Sequence, residues 1–415
     1  MGPIALFDKS FLQSLSLDES VFFDHFFLPV ICPIFYVETL ADLEKNVRKG
    51  RTPEQEVGII ADKVPEMSGA PCAYHIDLAA ANLFGASLPL DGRIPTAGGR
   101  PVRVDGQAGF VHDVPPEVDA FNRWQDRQFL DVERDFARIW RQTLNAVDLP
   151  GIAEAVRTMG INPQTCKSLE DAKRLVDRSL NRRGNSVAHQ INLALQILGV
   201  PLEHASRVIE RWRYLGRPSL VFYAPYTAHV VAVELFFQVG LGANLISTSD
   251  THNRTDIGYL FYAPFCHMFV SSDHLHRRCA PCFLRKDQSF VWGPDLKADL
   301  NRLMNYYAAR SDEEKEQGLM RMAPTPPQED KESLTVQLWD RHLAPIWRKR
   351  DVPRKTTSPK QDAELVSHIN RTASAPTLSP SEVDFDSTDA EFVTIQRRIS
   401  RRKGSWWQVP KDVKG

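Results

Sequence analysis

Four carboxylates, Asp8, Glu38, Asp256 and Asp273, sit where the surrounding pattern could bring them to one metal-binding site. Residues 254–273, RTDIGYLFYAPFCHMFVSSD, read as a short helix, a breaker and a buried strand, with an acid near each end. Ile257, Leu260 and Phe261 keep helical spacing, and Pro264 cannot continue the helix. The apolar run Cys266, Met268, Phe269, Val270 has the length of a strand covered on both faces and would deliver Ser271, Ser272 and Asp273 at its carboxyl end. Open parallel sheets keep their sites there. The amino terminus repeats the pattern, since Pro3 to Phe7 form an apolar strand ending on Asp8. Glu38 shares a helical face with Ile34, Val37 and Ala41 in a helix expected over 34–46. A carboxylate on a buried face is costly unless a positive charge meets it. Mg2+ and Mn2+ would do so, because they prefer oxygen ligands. Plainer roles exist for the same residues: Asp256 suits the dipole of its helix, and Asp8 and Asp273 suit caps.

These four positions resemble the PIN-domain nucleases, through Asp8 in ALFDKS, Glu38 in FYVETLADLEK, Asp256 in RTDIGYLFYAP and Asp273 in FVSSDHLH. The pair Asp256 and Asp273, with hydroxyl residues just before the second, is the most specific part. The likeness covers about the first fifty residues and roughly 248–285. It implies a three-layer α/β/α fold with a small parallel sheet, assembled from two halves at 1–50 and 241–295. It also implies metal-dependent hydrolysis of a phosphodiester, RNA first, with Asp8, Glu38, Asp256 and Asp273 as both metal ligands and catalytic set for Mg2+ or Mn2+. Two other readings remain open. One is a catalytically weak PIN-like module that binds RNA or protein. The other is a metal-dependent DNA nuclease or phosphatase on a similar sheet. An inhibitory or regulatory protein partner is compatible with all three.

The rest of the chain must position these halves. Residues 51–119 are punctuated by Pro89, Pro95, Gly98, Gly99, Pro101, Gly106 and Gly109 and read as long loops with short helical pieces. Helices are expected over 120–146, 169–180, 187–198, 202–214 and 226–239, which makes 51–240 a large, mainly helical insertion. Its Arg182, Arg183, Arg207, Arg211, Arg213 and Arg217 could form a basic lid gripping phosphates, or a solvated face pairing with Glu203 and Glu210. C-terminal helices are expected over 296–309 and 334–347, within 296–350. Residues 351–415 turn to Ser, Thr, Pro and charge and read as a disordered tail. The tail ends in bases mixed with Trp406 and Trp407, a combination suited to nucleic acid or to docking on a globular surface.

Composition excludes less than it permits. With 415 residues, 42% of them hydrophobic, a sizeable core is expected. A formal net charge of -1 means that any nucleic-acid contact must come from a local patch. Six cysteines without disulfide-like spacing, and no charged leader before Asp8, make the reducing cytoplasm the expected location. Cys279-x-x-Cys282 has zinc-like spacing but lacks a convincing second pair, because Cys266 belongs to an apolar strand and His274 and His276 would point opposite ways if extended. No structural zinc is expected, and the two histidines read as surface residues. The apolar stretch 228–246 is interrupted by His229, Glu234, Gln238 and Asn244, so a buried helix is expected rather than a membrane span.

Overall fold

The computed structural model of the protein describes residues 2–45, 50–181, 186–349, 359–386 and 389–412, without the side chains of 186, 187 and 359–363. In chain order the strands are β1 (Ile4–Phe7), β2 (Leu28–Ile31), β3 (Ala70–Pro71), β4 (Gly99–Val104), β5 (Gln107–His112), β6 (Met268–Ser271), β7 (Ser289–Trp292), β8 (Phe392–Ile395), β9 (Arg402–Lys403) and β10 (Trp406–Trp407). The protein is α/β, built on a five-stranded sheet of order β3-β2-β1-β6-β7 in which every pair is parallel. The central strands β1 and β6 are almost wholly buried, which explains why both are runs of apolar residues without alternation. They pair Ala5 with Met268, Leu6 with Phe269 and Phe7 with Val270. That register sets Asp8 and Asp273 beyond the carboxyl ends of neighbouring strands.

Two helices, Lys9–Ser14 and Leu17–Phe26, return the chain from β1 to β2. The second opens on a capping box in which Ser16 and Glu19 satisfy each other's backbone N–H groups. Its Phe23 ring meets Phe7 edge-on at 5.6 Å, and Phe35, from the helix after β2, meets Phe7 at 5.0 Å. This aromatic layer pins the helices to the strand that carries Asp8.

The helix that carries Glu38 is shorter than expected, Pro33–Leu40, and tightens into a 3-10 turn at Ala41–Glu44. Residue 46 lies outside the described residues. The helix expected over 120–146 is two, Pro116–Gln125 and Asp131–Asn145, separated at Arg127, whose φ of 59° no helix accommodates. Helices Leu169–Leu180, Ser186–Ile197, Leu202–Tyr214 and Pro225–Gly242 follow the expected pattern, joined by Leu149–Thr158, which the sequence reading did not foresee. Residues 51–119 hold more regular structure than loops. They form helices Pro53–Ala61 and His75–Phe84, strand β3, and the antiparallel hairpin β4-β5. β3 pairs with β2, so the long inserted stretch supplies one edge of the parallel sheet itself.

The expectation of a disordered tail fails for the described part of 351–415. β8 adds in parallel to β5, pairing Phe392 with Gly109 and Ile395 with His112. Lys403 donates to the Val64 carbonyl at 2.7 Å and pairs with Glu66 at 3.1 Å. The Trp406 ring meets Phe22 edge-on at 4.8 Å and is 5% exposed. The segment is poor in apolar residues and docks through one large ring and borrowed backbone pairing, which composition averages do not register. Its Ile395 and Arg397 also wall a cavity of about 550 Å³ against Ile31, Val64, Ala70 and Phe121. Among the described residues, no helix is long and apolar enough to cross a membrane.

Candidate active site

Asp8, Glu38, Asp256 and Asp273 all line one cavity of about 320 Å³ at the carboxyl edge of β1 and β6. Lys9, Ser10, Asp42, Lys45 and Thr255 complete the lower wall, and Trp140, Arg141 and Leu144 of the helix Asp131–Asn145 close the other side. Sequence separation had hidden this wall.

Asp8 caps the helix that follows β1, with Oδ1 accepting from the Phe11 N–H at 2.9 Å. Its Oδ2 accepts from Ser10 Oγ at 2.6 Å and Ser271 Oγ at 2.8 Å, and lies 3.3 Å from His276 Nδ1. Ser271 Oγ, which donates to Asp8, accepts in turn from His276 Nδ1 at 2.8 Å. His276 Nε2 donates to the Asp256 carbonyl at 2.7 Å. Burial alone would push this imidazole down, but the hydrogen bond and charge of Asp8, with help from Asp256, lift it to about 9. Burial would likewise raise Asp8, and His276 outweighs it, holding the carboxyl below its usual value. The pair is therefore an ion pair at neutral pH. Ser, His and Asp in contact suggest a nucleophilic triad, but Ser271 is fully buried and spends its proton on Asp8. It holds the network together and attacks nothing.

Glu38 meets its positive partner within the chain. Its Oε1 lies 3.3 Å from Lys9 Nζ, and its Oε2 accepts from Tyr259 Oη at 2.6 Å. Lys9 also reaches Asp42 at 3.0 Å. Burial works against the ammonium, yet Glu38 and Asp42 keep it above its ordinary value and charged. Asp273 caps the helix His274–Cys279, its Oδ1 accepting from Leu275 N–H at 2.6 Å and His276 N–H at 3.2 Å. Asp256 differs from the others. Its carboxyl has no hydrogen bond or ion pair among the described residues, and burial, together with the charges of Glu38, Asp273 and Asp8, pushes it up to about 8 against the pull of His276. It is protonated at neutral pH, as expected where negative charge outruns positive.

The donor set was tested against the divalent cation that the resemblance implies. Among the described residues no three His, Cys, Asp or Glu side chains are gathered to hold an ion as they stand. The chemistry nonetheless fits, because every acidic donor is an oxygen and Thr255 Oγ1, on the same wall and buried, has no partner among the described residues. Asp256 and Asp273, free of salt bridges among the described residues, would hold the ion first. Glu38 and Asp8 would join on loosening Lys9 and His276.

Sequence reasoning missed Lys9, His276 and Tyr259, and marked Ser271 only as a hydroxyl residue ahead of Asp273. His276 was read as a surface residue on an extended segment, but Asp273 starts a helix and turns His276 inward, 1% exposed. The spacing Asp-x-x-His at a helix start was the available signal, since a cap residue faces the third position after it. None of the described lid arginines, Arg207, Arg211, Arg213 and Arg217, lines this cavity. Arg207 stacks on Phe84 at 5.8 Å and Arg211 on Tyr223 at 4.8 Å, and neither lines it. Arg182 and Arg183 lie outside the described residues. Cys279 is fully buried and Cys282 half-buried, and burial pushes their thiols up to about 12 and about 11. No family model, no curated protein and no solved structure matches the chain.

Proposed function

We propose that the protein is a PIN-like, metal-dependent nuclease of the cytoplasm that hydrolyses phosphodiester bonds, with RNA as substrate. One observation carries the reading: four acids from distant parts of the sequence line a single cavity at the carboxyl edge of a parallel sheet, and one of them, Asp256, is pushed up to about 8 by crowding and burial. Mg2+ or Mn2+, when bound, supplies a hydroxide from its water and neutralises charge on the phosphate. The chain does the rest. Asp256, on losing its proton to solvent, would stand with Asp273 as the carboxylates that hold the ion. The Asp8–His276 pair and the Tyr259–Glu38 hydrogen bond fix the remaining carboxylates against the sheet. Arg141 and Lys45 bring positive charge to the cavity wall, where phosphate oxygens would otherwise meet only acids.

The test is turnover of single-stranded RNA in Mg2+ or Mn2+, set against structured DNA and small phosphate esters. Turnover of RNA that stops with chelator is expected. A specific observation favours a second reading, the catalytically weak binding module: Asp8 and Glu38 already have internal cations, His276 and Lys9. Tight RNA binding with no turnover in any divalent metal would select it.

A further inference from the structure

The acidic cavity has a neighbour. A second cavity of about 190 Å³ shares Trp140, Leu144 and Thr255 with it, so the two adjoin across the indole of Trp140. Their chemistries are opposite. The second is apolar, with aliphatic side chains such as Ile34, Ile76, Leu198 and Val230 beside the rings of Trp140, Tyr74, and His75 stacked on Phe261 with centroids 4.2 Å apart and planes 13° from parallel. Burial pushes His75 down to about 3, so its ring is neutral. At the edge of the cavity Glu234 and Arg254 pair at 2.5 Å, a carboxylate and a guanidinium presented side by side. Thr255 Oγ1, buried and without a partner among the described residues, stands on the wall common to both. On the solvent side of the same helix, Phe136 stacks on Trp140 with planes 14° apart, and Val132 and Ile139 are exposed, 67% and 57%.

We infer that this aromatic cavity takes the base of a single-stranded nucleotide whose phosphate occupies the acidic cavity. The inference rests on the nuclease reading for the phosphate half and names the substrate class. A nucleotide joins an anionic group to a flat ring: Arg141 and Lys45, with a divalent ion held by the acids, would meet the phosphate in the first cavity, and the second offers rings on the other side of Trp140. Unstacked bases are recognised by aromatic faces together with hydrogen bonds to their edges. Glu234 can accept from ring and amino N–H groups while Arg254 donates to a ring oxygen or nitrogen, a pairing that suits guanine best. A duplex keeps its bases stacked and paired and cannot deliver one into a walled cavity without opening. The exposed Phe136 and Ile139 extend the platform to the next base along the strand.

The experiment measures binding of short, fluorescently labelled single-stranded oligoribonucleotides in Mn2+ buffer, with an abasic residue moved through each position and cleavage followed on the same samples. The expected result is one position whose base loss weakens binding by about tenfold, a size typical of one base–aromatic stack, and duplex of the same sequence binding more weakly. Trp140→Ala or Tyr74→Ala should erase that positional effect. Tyr74 is partly exposed, so its variant tests the point even if Trp140→Ala fails to fold. Glu234→Gln should flatten the preference for guanine at that position. Equal binding of every abasic oligonucleotide, or no binding of single strands, overturns the inference. Cleavage separates it from the nuclease reading: a positional effect without cleavage leaves the base site standing and removes the activity, whereas cleavage without a positional effect does the reverse.

Discussion

The acidic cavity of about 320 Å³ and the cavity of about 550 Å³ beneath the C-terminal segment differ in almost everything except that both are concave. In the smaller, carboxylates, Lys9, Lys45 and Arg141 crowd the wall, and the fold strains to keep them satisfied: His276 is held charged on Asp8, Lys9 is clamped between Glu38 and Asp42, and Asp256 is left protonated. In the larger, Ile31, Val64, Phe121 and Ile395 share the lining with Glu66, Asp77, Asp113, Glu117 and Arg397, but these acids are not crowded onto one another's charge as in the smaller: Glu66 pairs with Lys403, and the half-buried Arg397 donates its hydrogen bond to the Met67 carbonyl. Volume alone would choose the wrong one for chemistry. Ionisable groups held away from their ordinary behaviour mark where charge can be put to use. The comparison also says that damage to the two regions should separate activity from stability.

The largest expected effect is at the acidic cavity. Asp273→Asn removes charge and keeps shape, and should cut Mn2+-dependent RNA cleavage by roughly a hundredfold or more, as loss of a ligand to a catalytic ion does. The melting temperature should stay near that of the parent. Parent-level cleavage by folded Asp273→Asn would remove the site. Asp8→Asn is expected to do more harm to the fold, because it leaves a buried imidazolium without its anion, a change that costs about 3–5 kcal/mol. A melting temperature unaltered in Asp8→Asn would show that His276 is neutral. At the other region Trp406→Ala should destabilise by about 3–5 kcal/mol, read from denaturant midpoints, while cleavage per folded molecule is unchanged. Cleavage lost in proportion to stability would break the separation between the two regions.

A smaller effect concerns pH. His276 in the fold is raised from 6.5 to about 9, and Asp256 from 3.8 to about 8, so between pH 6.5 and 8 the native state binds more protons than the unfolded chain at both groups. Their stabilisation is fullest at the low end and is lost as pH rises. In chelator, the melting temperature should fall from pH 6.5 to 9, and Mn2+ should offset the fall by replacing the departing proton. Asp256→Asn should flatten the slope. The least effect is expected from Asp171→Asn, a surface acid of the helix Leu169–Leu180 remote from the cavity lining, which should leave cleavage at the parent rate.

The parts legible in the sequence were those in which one physical demand acts along a continuous stretch. β1 and β6 are buried on both faces and had to be apolar throughout, so IALF and MFVS announced themselves together with the acids that follow. β3 was not legible, because it is two residues long and one is Pro71, which breaks any pattern. The β4-β5 hairpin carried a signal that was read as mere punctuation. Asp105 and Gly106, at φ of 51° and 83°, form the Asp-Gly turn favoured between antiparallel strands. Lys9 and His276 were hidden for another reason. Their roles depend on partners far along the chain, Glu38 and Asp42 for one and Asp8 for the other, and although Asp-x-x-His signals that His276 turns inward, no local pattern names the partner that either residue meets. The tail misled because Trp406 does its work alone, amid residues that a composition count dismisses.

The pairing of β1 with β6 also sets a schedule. β1 is made within the first residues of the chain, but its central neighbour lies 263 positions later, after every helix of the inserted stretch. A protein growing from a ribosome therefore carries Leu6 and Phe7 with one side of the strand unpaired until residues 268–271 emerge. Contacts of such long sequence separation form late and slowly. Lys9 can meet Glu38 and Asp42 early, whereas Asp8 waits for Ser271 and His276. The acidic cavity thus cannot take an ion or a strand of RNA until synthesis has passed His276, and a nascent chain that stalls before residue 268 exposes an apolar strand edge that holding chaperones would recognise.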